Sequence, residues 1–545
     1  MSTGVVGKLM AAVALAVATA GAARVAETPP AAVPSPVQLP DDQAAMKAHV
    51  MFLASDALRG REAGTPEYRI AAEYVASRFF AAGLRPAGDK GGYLQSVPLL
   101  RYQPADHGDL VLTAKGGVPM PLVFGKDFVP GAVPGKPLFA LDAPVVFVGQ
   151  GIVAPKYKRN DYAGVDVRGK IVAFLAETPA SFQSEERAHF ASPASRTVIA
   201  ADHGAVAAIM IEPGSVSEAR WDRSRMTWAY PDGTGQIAGV PLIATVSGAG
   251  AAKLFARARV PWDKIAPHAD DPTATFKAEQ LPSILTVALK TLSEPLDSYN
   301  VAGLLPGTDP TLSREVVVLS AHLDHLGVGL PVNGDSIYNG AQDNAVGIAA
   351  LIEAAKRFRT SDMPTRRSIL FLAVTAEEEG LVGSDFFARH PPVPASRIVA
   401  DVNFDMPVLS YPFQDMTVFG ADRSTLGPIV AQAVAALGVT MSADPDPAEG
   451  FFVRSDHYRF VQQGIPSVFL WPGQAGPGKA AFEDFMKHRY HQPSDDLSQP
   501  IDWAQGLRFV AANCAITRAI ADAPERPRWN KGDFFGLLYD GPGAK

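Results

Sequence analysis

The chain has 545 residues, of which 47% are hydrophobic and 19% are charged, and its net charge at neutral pH is −7. This length exceeds what one hydrophobic core usually supports, so we expect two or three domains. The negative net charge provides no electrostatic footprint for nucleic acid and argues against a nucleic-acid-binding protein.

Residues 1–22 have the pattern of a secretory signal peptide. Lys8 precedes an apolar run at residues 9–20 that is too short to span a bilayer, and small residues suited to cleavage follow it. An uncleaved membrane anchor is the alternative interpretation. We expect a periplasmic or extracellular protein without an integral membrane span in the mature chain. A linker rich in Pro and Ala is expected at residues 23–40.

The next part of the chain predicts two helices and then a change of texture. One helix follows Asp41, and an amphipathic helix at residues 68–82 ends at Gly83. From residue 143 to residue 282, short apolar runs are separated by Gly and Pro, which predicts an inserted module rich in β-strands. The predicted domains are the first part of a larger domain at 41–142, the inserted module at 143–282, the rest of the larger domain at 283–525, and a C-terminal tail at 526–545.

After residue 300 the pattern becomes α/β. Four continuous apolar runs have the character of strands buried on both faces, at residues 315–321, 369–374, 398–404 and 467–471. Helical patterns between them imply a mixed, mainly parallel central sheet with helices on both faces. Ligand sites in such sheets lie at the carboxyl ends of the strands, so polar residues at these ends are candidates for a functional site.

Five side chains of metal-ligand type follow predicted strands or tight turns. They are His322, Asp343, Glu378, Asp405 and His491. Two imidazoles and three carboxylates can hold two zinc ions if one carboxylate is shared. Charge supports this number, because three carboxylates and one hydroxide balance the four positive charges of two zinc ions.

Each of these residues also has an ordinary structural explanation. His322 and Asp324 could be a core or loop pair, Asp343 could cap the helix that follows it, the acids at 377–379 could form a solvated face, and His491 could lie on a surface loop. The metal interpretation depends on their joint occurrence. In that interpretation Asp324 could accept the second N–H of His322, and one of two adjacent glutamates could bind metal while the other holds a proton.

These residues lie in strings that resemble the co-catalytic di-zinc aminopeptidases, metallopeptidase family 28. The strings are residues 53–56, 60–61, 64–66, 321–327 (AHLDHLG), 339–347 (NGAQDNAVG), 376–384 (AEEEGLVGS), 403–406 (NFDM), 455–457 (SDH), 464–466 (GIP) and 490–495 (YHQPSD). The inserted region, with residues 161–170 (DYAGVDVRGK), resembles a protease-associated domain. The resemblance covers nearly all of residues 45–500.

The resemblance implies a zinc-exopeptidase fold and a specific ligand set. His322 and Asp405 would bind one zinc, Glu378 and His491 would bind the other, and Asp343 would lie between the two. No other cofactor is implied.

The resemblance also implies roles for three further residues. Glu377 would be the general base that takes a proton from water and delivers it to the leaving amine. Asp324 would orient His322, and Tyr490 would polarise the scissile carbonyl. The Asp343–Asn344 peptide bond is expected to be cis.

The implied function is an exported zinc aminopeptidase that removes residues from peptides with a free N-terminus. A carboxypeptidase or a dipeptidase of the same fold is the first alternative. A glutaminyl cyclase is a weaker one, because cyclases of this family function with a single zinc and the ligand set here is complete. A catalytically inactive binding protein is the non-enzymatic alternative. The preferred substrate side chain, the role of the inserted module and the oligomeric state are open.

Overall fold

The computed structural model describes residues 39–114, 117–218, 221–230, 235 and 239–545. The predicted signal peptide at 1–22 and nearly all of the predicted linker at 23–40 lie outside these residues, so both stay predictions. Among the described helices, none has the length and apolar character needed to cross a membrane.

Four parallel strands form the centre of the first sheet. Their order across the sheet is Ser368–Val374, Val316–His322, Ile398–Asn403 and Ser467–Pro472. Every residue of these strands is buried, as their continuous apolar runs predict. Other strands extend this sheet, and those that pair directly with the four parallel strands are antiparallel to them. The predicted α/β class with a mixed sheet is therefore confirmed. These strands are Arg85–Pro86, Leu94–Pro104, Arg225–Trp228, the second half of Glu279–Leu305, Asp415–Phe419 and Thr440–Ser442.

Two of the longer helices begin after a residue whose side chain caps them. Thr65 caps the helix Pro66–Ala81 by accepting the backbone N–H of Tyr68, and Asp502 caps Trp503–Asp522 in the same way. The described α-helices are Asp41–Leu53, Pro66–Ala81, Ser184–Ala191, Pro193–Asp202, Gly248–Leu254, Trp262–Ile265, Val346–Thr360, Val382–Arg389, Leu426–Ala435, His457–Val461, Gly478–His488, Trp503–Asp522 and Phe534–Leu538.

A second sheet has a hydrophobic cluster of its own. The cluster includes Leu110, Phe147, Ile209 and Leu285, all less than 3% exposed. The sheet contains the strands Asp109–Ala114, Met120–Pro121, Phe128–Pro130, Leu138–Phe147, Ile171–Leu175, Ala207–Ile211 and Leu242–Val246, together with the first half of Glu279–Leu305. We call the described residues between 109 and 290, apart from the first-sheet strand Arg225–Trp228, the second-sheet module. It is wider than the segment predicted at 143–282, and the division of the chain into domains stays a prediction. Two short hairpins, Val153–Ala154 with Arg159–Asn160 and Gly327–Val332 with Asp335–Tyr338, complete the strands.

The long strand Glu279–Leu305 joins the two sheets. Its first half pairs with Asp109–Ala114 and Leu138–Phe147, and its second half pairs with Leu94–Pro104. The sequence analysis did not predict this strand. In the structure, every second side chain from Leu281 to Thr291 is buried, which is the alternation expected of a strand with one buried face. The two sheets therefore share one continuous hydrogen-bonded strand.

The buried side chain of Arg61 forms hydrogen bonds to three separate segments of the chain, one of which directly follows the parallel strand Val316–His322. It is 0% exposed. Its guanidinium donates to the backbone carbonyls of Leu53, Leu323, Asn339 and Gly340 at 2.5 to 3.1 Å. The planar five-donor group of arginine suits such a set of acceptors. One side chain thus fixes the loop after His322 and the loop before Asp343.

We predict that Arg61→Met lowers the free energy of unfolding by about 3 kcal/mol or more, because the carbonyls of Leu53, Leu323 and Asn339 lose the Arg61 donor and that of Gly340 keeps only the N–H of Ala345. Urea unfolding measures this value. The matched control is Arg59→Met, since Arg59 is 59% exposed and lies 3.8 Å from Glu67. An equal loss in both variants would contradict the role of Arg61.

Candidate metal centre

The parallel strands bring the predicted site residues to one edge of the first sheet. His322 is the last residue of Val316–His322 and pairs in register with Val374, the last residue of the neighbouring strand. Glu377 and Glu378 follow that neighbour by three and four residues, and Asp405 follows Ile398–Asn403 by two. Parallel strands end at the same edge, so these side chains meet although they are far apart in sequence.

Asp343 and His491 reach this edge from turns. Asp343 lies just before the helix Val346–Thr360, and His491 lies just after the helix Gly478–His488. Both carboxylate oxygens of Asp495 accept backbone N–H groups of the Asp343 turn, from Gln342 at 2.9 Å and from Asp343 at 3.0 Å. A buried acid near His491 therefore holds the turn that carries Asp343.

The five predicted ligands form an unbroken series of nitrogen–oxygen contacts. His322 Nε2 lies 3.0 Å from Asp405 Oδ1 and 3.2 Å from Asp343 Oδ1. The other oxygen of Asp343, Oδ2, lies 3.4 Å from His491 Nε2, which in turn lies 3.1 Å from Glu378 Oε2. One carboxylate thus stands between two imidazoles, and each imidazole has a second carboxylate of its own.

The donor set fits zinc. His322, Asp343 and Glu378 each offer a ligand atom, and these atoms lie within 4.8 Å of one another. Imidazole nitrogens and carboxylate oxygens are ligands that zinc prefers. The structure thus brings the five residues together, and their binding of metal stays a prediction.

The carboxylates of the site favour the protonated form of both imidazoles. Burial alone would lower the pKa of His491, but the carboxylates of Asp343 and Glu378 raise it to about 10. Burial likewise opposes the protonation of His322, but Asp405 and other carboxylates raise its pKa well above the usual range. For Glu378, burial and Asp343 favour the neutral form, yet contacts with His325 and His491 hold its pKa at about 2. The carboxylates and the imidazoles thus stabilise each other's charged forms.

Glu377 and Tyr490 line the pocket that contains these ligands. The lining residues are His322, Asp343, Glu377, Glu378, Asp405, Met406, Phe451, Arg454, Ser455, Phe469, Trp471, Tyr490 and His491. Burial raises the pKa of Glu377 well above its usual range, and the nearby carboxylate of Asp405 adds to this effect. The ring of Tyr490 stacks on that of His491, with centroids 3.8 Å apart.

The contact predicted for the Asp324 side chain is corrected by the structure. Nδ1 of His322 lies 3.2 Å from the backbone carbonyl oxygen of Asp324. The carboxylate of Asp324 instead accepts the backbone N–H groups of Glu377 at 3.1 Å and Glu378 at 3.2 Å. The chain turns after His322, so the Asp324 side chain faces the end of the neighbouring strand and fixes the loop that carries both glutamates.

Sequence reasoning assigned no role to two residues that touch the ligands. Nδ1 of His325 lies 2.6 Å from Glu378 Oε1, and the hydroxyl of Ser455 donates to Asp405 Oδ2 at 2.6 Å. Both residues belong to the strings that carry the family resemblance, at 321–327 and 455–457. Their place in these strings was the available sequence signal, but the strings do not show which candidate ligand each residue contacts.

The backbone of the site adopts conformations that side chains rarely tolerate. Ala376, Met406 and His491 have φ of 53°, 45° and 55°, in the left-handed region, and all three are ligands or lie within two residues of one. Such conformations cluster at functional sites. The peptide bond between Asp343 and Asn344 is cis, as predicted.

Comparison with known proteins identifies a family for part of the chain. Residues 300–517 match the family model described as peptidase family M28. The matched segment contains all five candidate ligands and Glu377.

Two curated relatives are similar over part of the chain. Leupeptin-inactivating enzyme 1 of Streptomyces exfoliatus is 28% identical over 252 residues, which are 44% of this chain and 53% of that protein. Probable leucine aminopeptidase 2 of Aspergillus oryzae (strain ATCC 42149 / RIB 40) is 29% identical over 258 residues, which are 43% of this chain and 47% of that protein. The matched part thus spans about half the length of each relative.

Among solved structures, the aminopeptidase from Aneurinibacillus sp. strain AM-1 is similar with a TM-score of 0.47 and 21% sequence identity. The match covers 89% of this chain and 95% of that one.

We predict that Gly340→Ala weakens zinc binding by about tenfold or more. Gly340 has φ +60°, and a Cβ there would lie 2.2 Å from the carbonyl oxygen of Asp343 and 2.5 Å from Cγ of His325. The turn that carries Asp343 would have to move. Competition with a chromophoric chelator measures the affinity.

The control for this prediction is Gly334→Ala. Gly334 also has a left-handed φ, of +91°, but its Cβ would meet no atom within 4 Å. A similar loss of zinc affinity in both variants would attribute the effect to backbone strain in general and not to the Asp343 turn.

We also predict that zinc binding releases protons. A ligating imidazole must be neutral, whereas the carboxylates of Asp343 and Glu378 raise the pKa of His491 to about 10, so this imidazole carries a proton at pH 8 before zinc binds. Saturation with zinc at pH 8 should therefore release about one proton or more per molecule. Calorimetry in buffers of different ionisation enthalpy measures this number, and a release near zero would contradict the charge balance described above.

Proposed function

We propose, from the match of residues 300–517 to the model of peptidase family M28, that this protein is a zinc-dependent aminopeptidase. The observation that carries the proposal is the carboxylate of Asp343 placed between the imidazoles of His322 and His491, at 3.2 and 3.4 Å. An acid with a raised pKa, Glu377, lies in the same pocket. This combination suits hydrolysis by activated water.

The ligand assignment follows the two halves of the contact series. His322 and Asp405 would hold one zinc ion, His491 and Glu378 would hold a second, and Asp343 would be shared. Bound zinc would lower the pKa of water and polarise a carbonyl oxygen.

The remaining residues handle protons and position groups. Glu377 accepts a proton from the attacking water and returns it to the leaving amine, as its place beside the ligands allows. Tyr490 offers a hydroxyl near the scissile carbonyl, and its ring keeps His491 oriented by stacking. Ser455 and His325 hold the carboxylates of Asp405 and Glu378 in place.

The pocket favours a substrate with a positively charged amino end. Four of its lining residues are acids, Asp343, Glu377, Glu378 and Asp405. Phe451, Phe469, Trp471 and Met406 supply an apolar wall beside them. With Asp343, Glu378 and Asp405 holding zinc, Glu377 is the lining acid that a free ammonium group would meet, and the wall would exclude water from the reacting bond.

One observation favours a second function, cleavage of peptides through recognition of a carboxylate. Arg454 is the single Lys or Arg among the residues that line the pocket. Its side chain is 43% exposed and lies 3.4 Å from Glu449, so it remains accessible to solvent. A carboxypeptidase or dipeptidase would use such a cation to bind the carboxyl end of its substrate.

We further propose that the second-sheet module is the protease-associated domain suggested by residues 161–170. Its separate hydrophobic cluster supports a module that folds around its own core. Export of the protein rests on the segment at residues 1–22 and stays a prediction.

A substrate panel distinguishes these functions. We predict hydrolysis of amino-acid amides and of dipeptides, loss of hydrolysis when the amino end is acetylated, and loss of all activity with a metal chelator, because binding depends on the ammonium group and on metal. Liquid chromatography of the products measures each rate. Cleavage that needs a free carboxyl end and tolerates acetylation would establish the carboxypeptidase. Zinc content near zero in the purified protein would instead favour an inactive binding protein.

We predict that Glu377→Gln lowers kcat by about 10³-fold while zinc content is unchanged, because an amide cannot accept the proton from water. Steady-state kinetics and metal analysis by mass spectrometry provide the two values. Glu379→Gln is the matched control, since it removes an adjacent acid that does not line the pocket. Activity retained in Glu377→Gln would eliminate the proposed base.

A further inference from the structure

One short stretch of chain, residues 450–455, forms a wall of the metal pocket, and we call it the pocket segment. Phe451, Arg454 and Ser455 from this segment line the pocket. Ser455 donates to Asp405 Oδ2 at 2.6 Å, and the ring of Phe451 meets Trp471 edge-on with centroids 4.6 Å apart. A shift of the pocket segment would therefore move Ser455, the hydrogen-bond partner of the candidate ligand Asp405, together with Phe451 in the apolar wall.

The pocket segment lies directly against the second-sheet module. A Cβ added at Gly450 would lie 2.5 Å from Cβ of Ala188, in the helix Ser184–Ala191 of that module. His189 of the same helix is 7% exposed, and its Nδ1 lies 2.6 Å from the hydroxyl of Tyr458, three residues beyond the pocket segment. The module thus supports this wall through a close and buried contact.

Arg423 joins three parts of the chain at this contact. It lies four residues beyond the first-sheet strand Asp415–Phe419, and its side chain is 8% exposed. Its guanidinium pairs with Glu185 and donates to Gln183 Oε1 at 2.6 Å, both in the second-sheet module. It also donates to Asp533 Oδ2 at 2.9 Å, in the C-terminal stretch predicted as a tail.

The same guanidinium touches the pocket segment through an aromatic ring. Its carbon lies 5.6 Å from the ring centroid of Phe452 and 4.7 Å from that of Phe535, distances at which a cation is attracted to an aromatic face. Phe452 is 1% exposed and Phe535 is 0% exposed. The C-terminal stretch is therefore part of the packed structure around the pocket segment.

We infer that Arg423 is a positioning residue through which the second-sheet module and the C-terminal stretch set the place of the pocket segment, and hence the affinity for substrate. The guanidinium of Arg423 donates to three acceptors at fixed angles, so the loss of one acceptor changes its orientation relative to the ring of Phe452. The module would then tune the pocket from outside and would not be a mere spacer. This inference rests on the proposed function where it concerns substrate.

The test uses Glu185→Gln and Asp533→Asn in the full-length zinc-loaded protein, with an amino-acid amide as substrate. Each variant removes one acid from Arg423 on a different part of the chain. We expect KM to rise about three- to tenfold, with kcat and zinc content within about twofold of the unchanged protein. Arg423→Lys should show the same pattern, because lysine keeps the charge but cannot serve three acceptors.

The control is Asp127→Asn, which removes an even more deeply buried carboxylate from the same module, one that does not contact Arg423. Asp127 is 0% exposed, lies 2.5 Å from Lys253 Nζ and accepts the backbone N–H of Val123. It should lower the melting temperature without changing KM. A rise in KM equal to that of Glu185→Gln would reduce the role of Arg423 to general stability and overturn the inference.

Hydrogen exchange separates this inference from the proposed function. The backbone N–H groups of Val453 and Arg454 bond within the pocket segment, at 3.2 and 3.0 Å. They should exchange faster in Glu185→Gln and Asp533→Asn, and at the original rate in Asp127→Asn. If the unchanged protein hydrolyses no peptide, the proposed function fails while faster exchange still supports the positioning role. Unchanged exchange in both variants would overturn it, whatever the activity.

Discussion

A set of buried carboxylates separated by imidazoles governs the other contacts of the site. Asp405, Asp343 and Glu378 lie within 3.4 Å of imidazole nitrogens. Carboxylates gathered where water is excluded repel each other strongly, and each favours its neutral form unless a positive charge lies nearby. These carboxylates therefore raise the pKa values of His322 and His491, and two zinc ions would supply the positive charge in the proposed enzyme.

The loops that carry the cluster are irregular, so side chains must satisfy their backbone groups. Arg61 takes four carbonyls, Asp495 takes two N–H groups of the Asp343 turn, and Asp324 takes those of Glu377 and Glu378. Unsatisfied backbone groups in a buried loop are costly, which explains why charged residues are fully buried around the site. These residues hold the geometry without touching a reacting atom.

Both sheets contribute to the surroundings of this site. The strand Glu279–Leu305 runs through both, and the contact at Arg423 closes the structure on the side of the pocket segment. The first sheet supplies the ligands, because its parallel strands end together. The second-sheet module and the C-terminal stretch surround the wall that the substrate would meet. In the proposed enzyme, the second-sheet module and the C-terminal stretch would act on substrate fit through the pocket segment.

The buried strands and the residues that follow them could be predicted from the order of amino acids alone, because hydrophobic periodicity is a local property. The strands Ser368–Val374 and Ile398–Asn403 were predicted within two residues, and Glu378 and Asp405 were placed at their ends. The resemblance of the strings around these positions added the assignment of Glu377 as a base, which no local pattern could provide.

Which side chains contact each other could be read only from the folded chain. The fold directs the Asp324 carboxylate to the loop that carries Glu377 and brings Ser455 to Asp405. It also packs Phe535, in the stretch predicted as a tail, against Phe452. Such pairings depend on the relative placement of segments tens to hundreds of residues apart, which sequence spacing does not specify. A residue's type limits the contacts it can make, whereas the fold selects the partner.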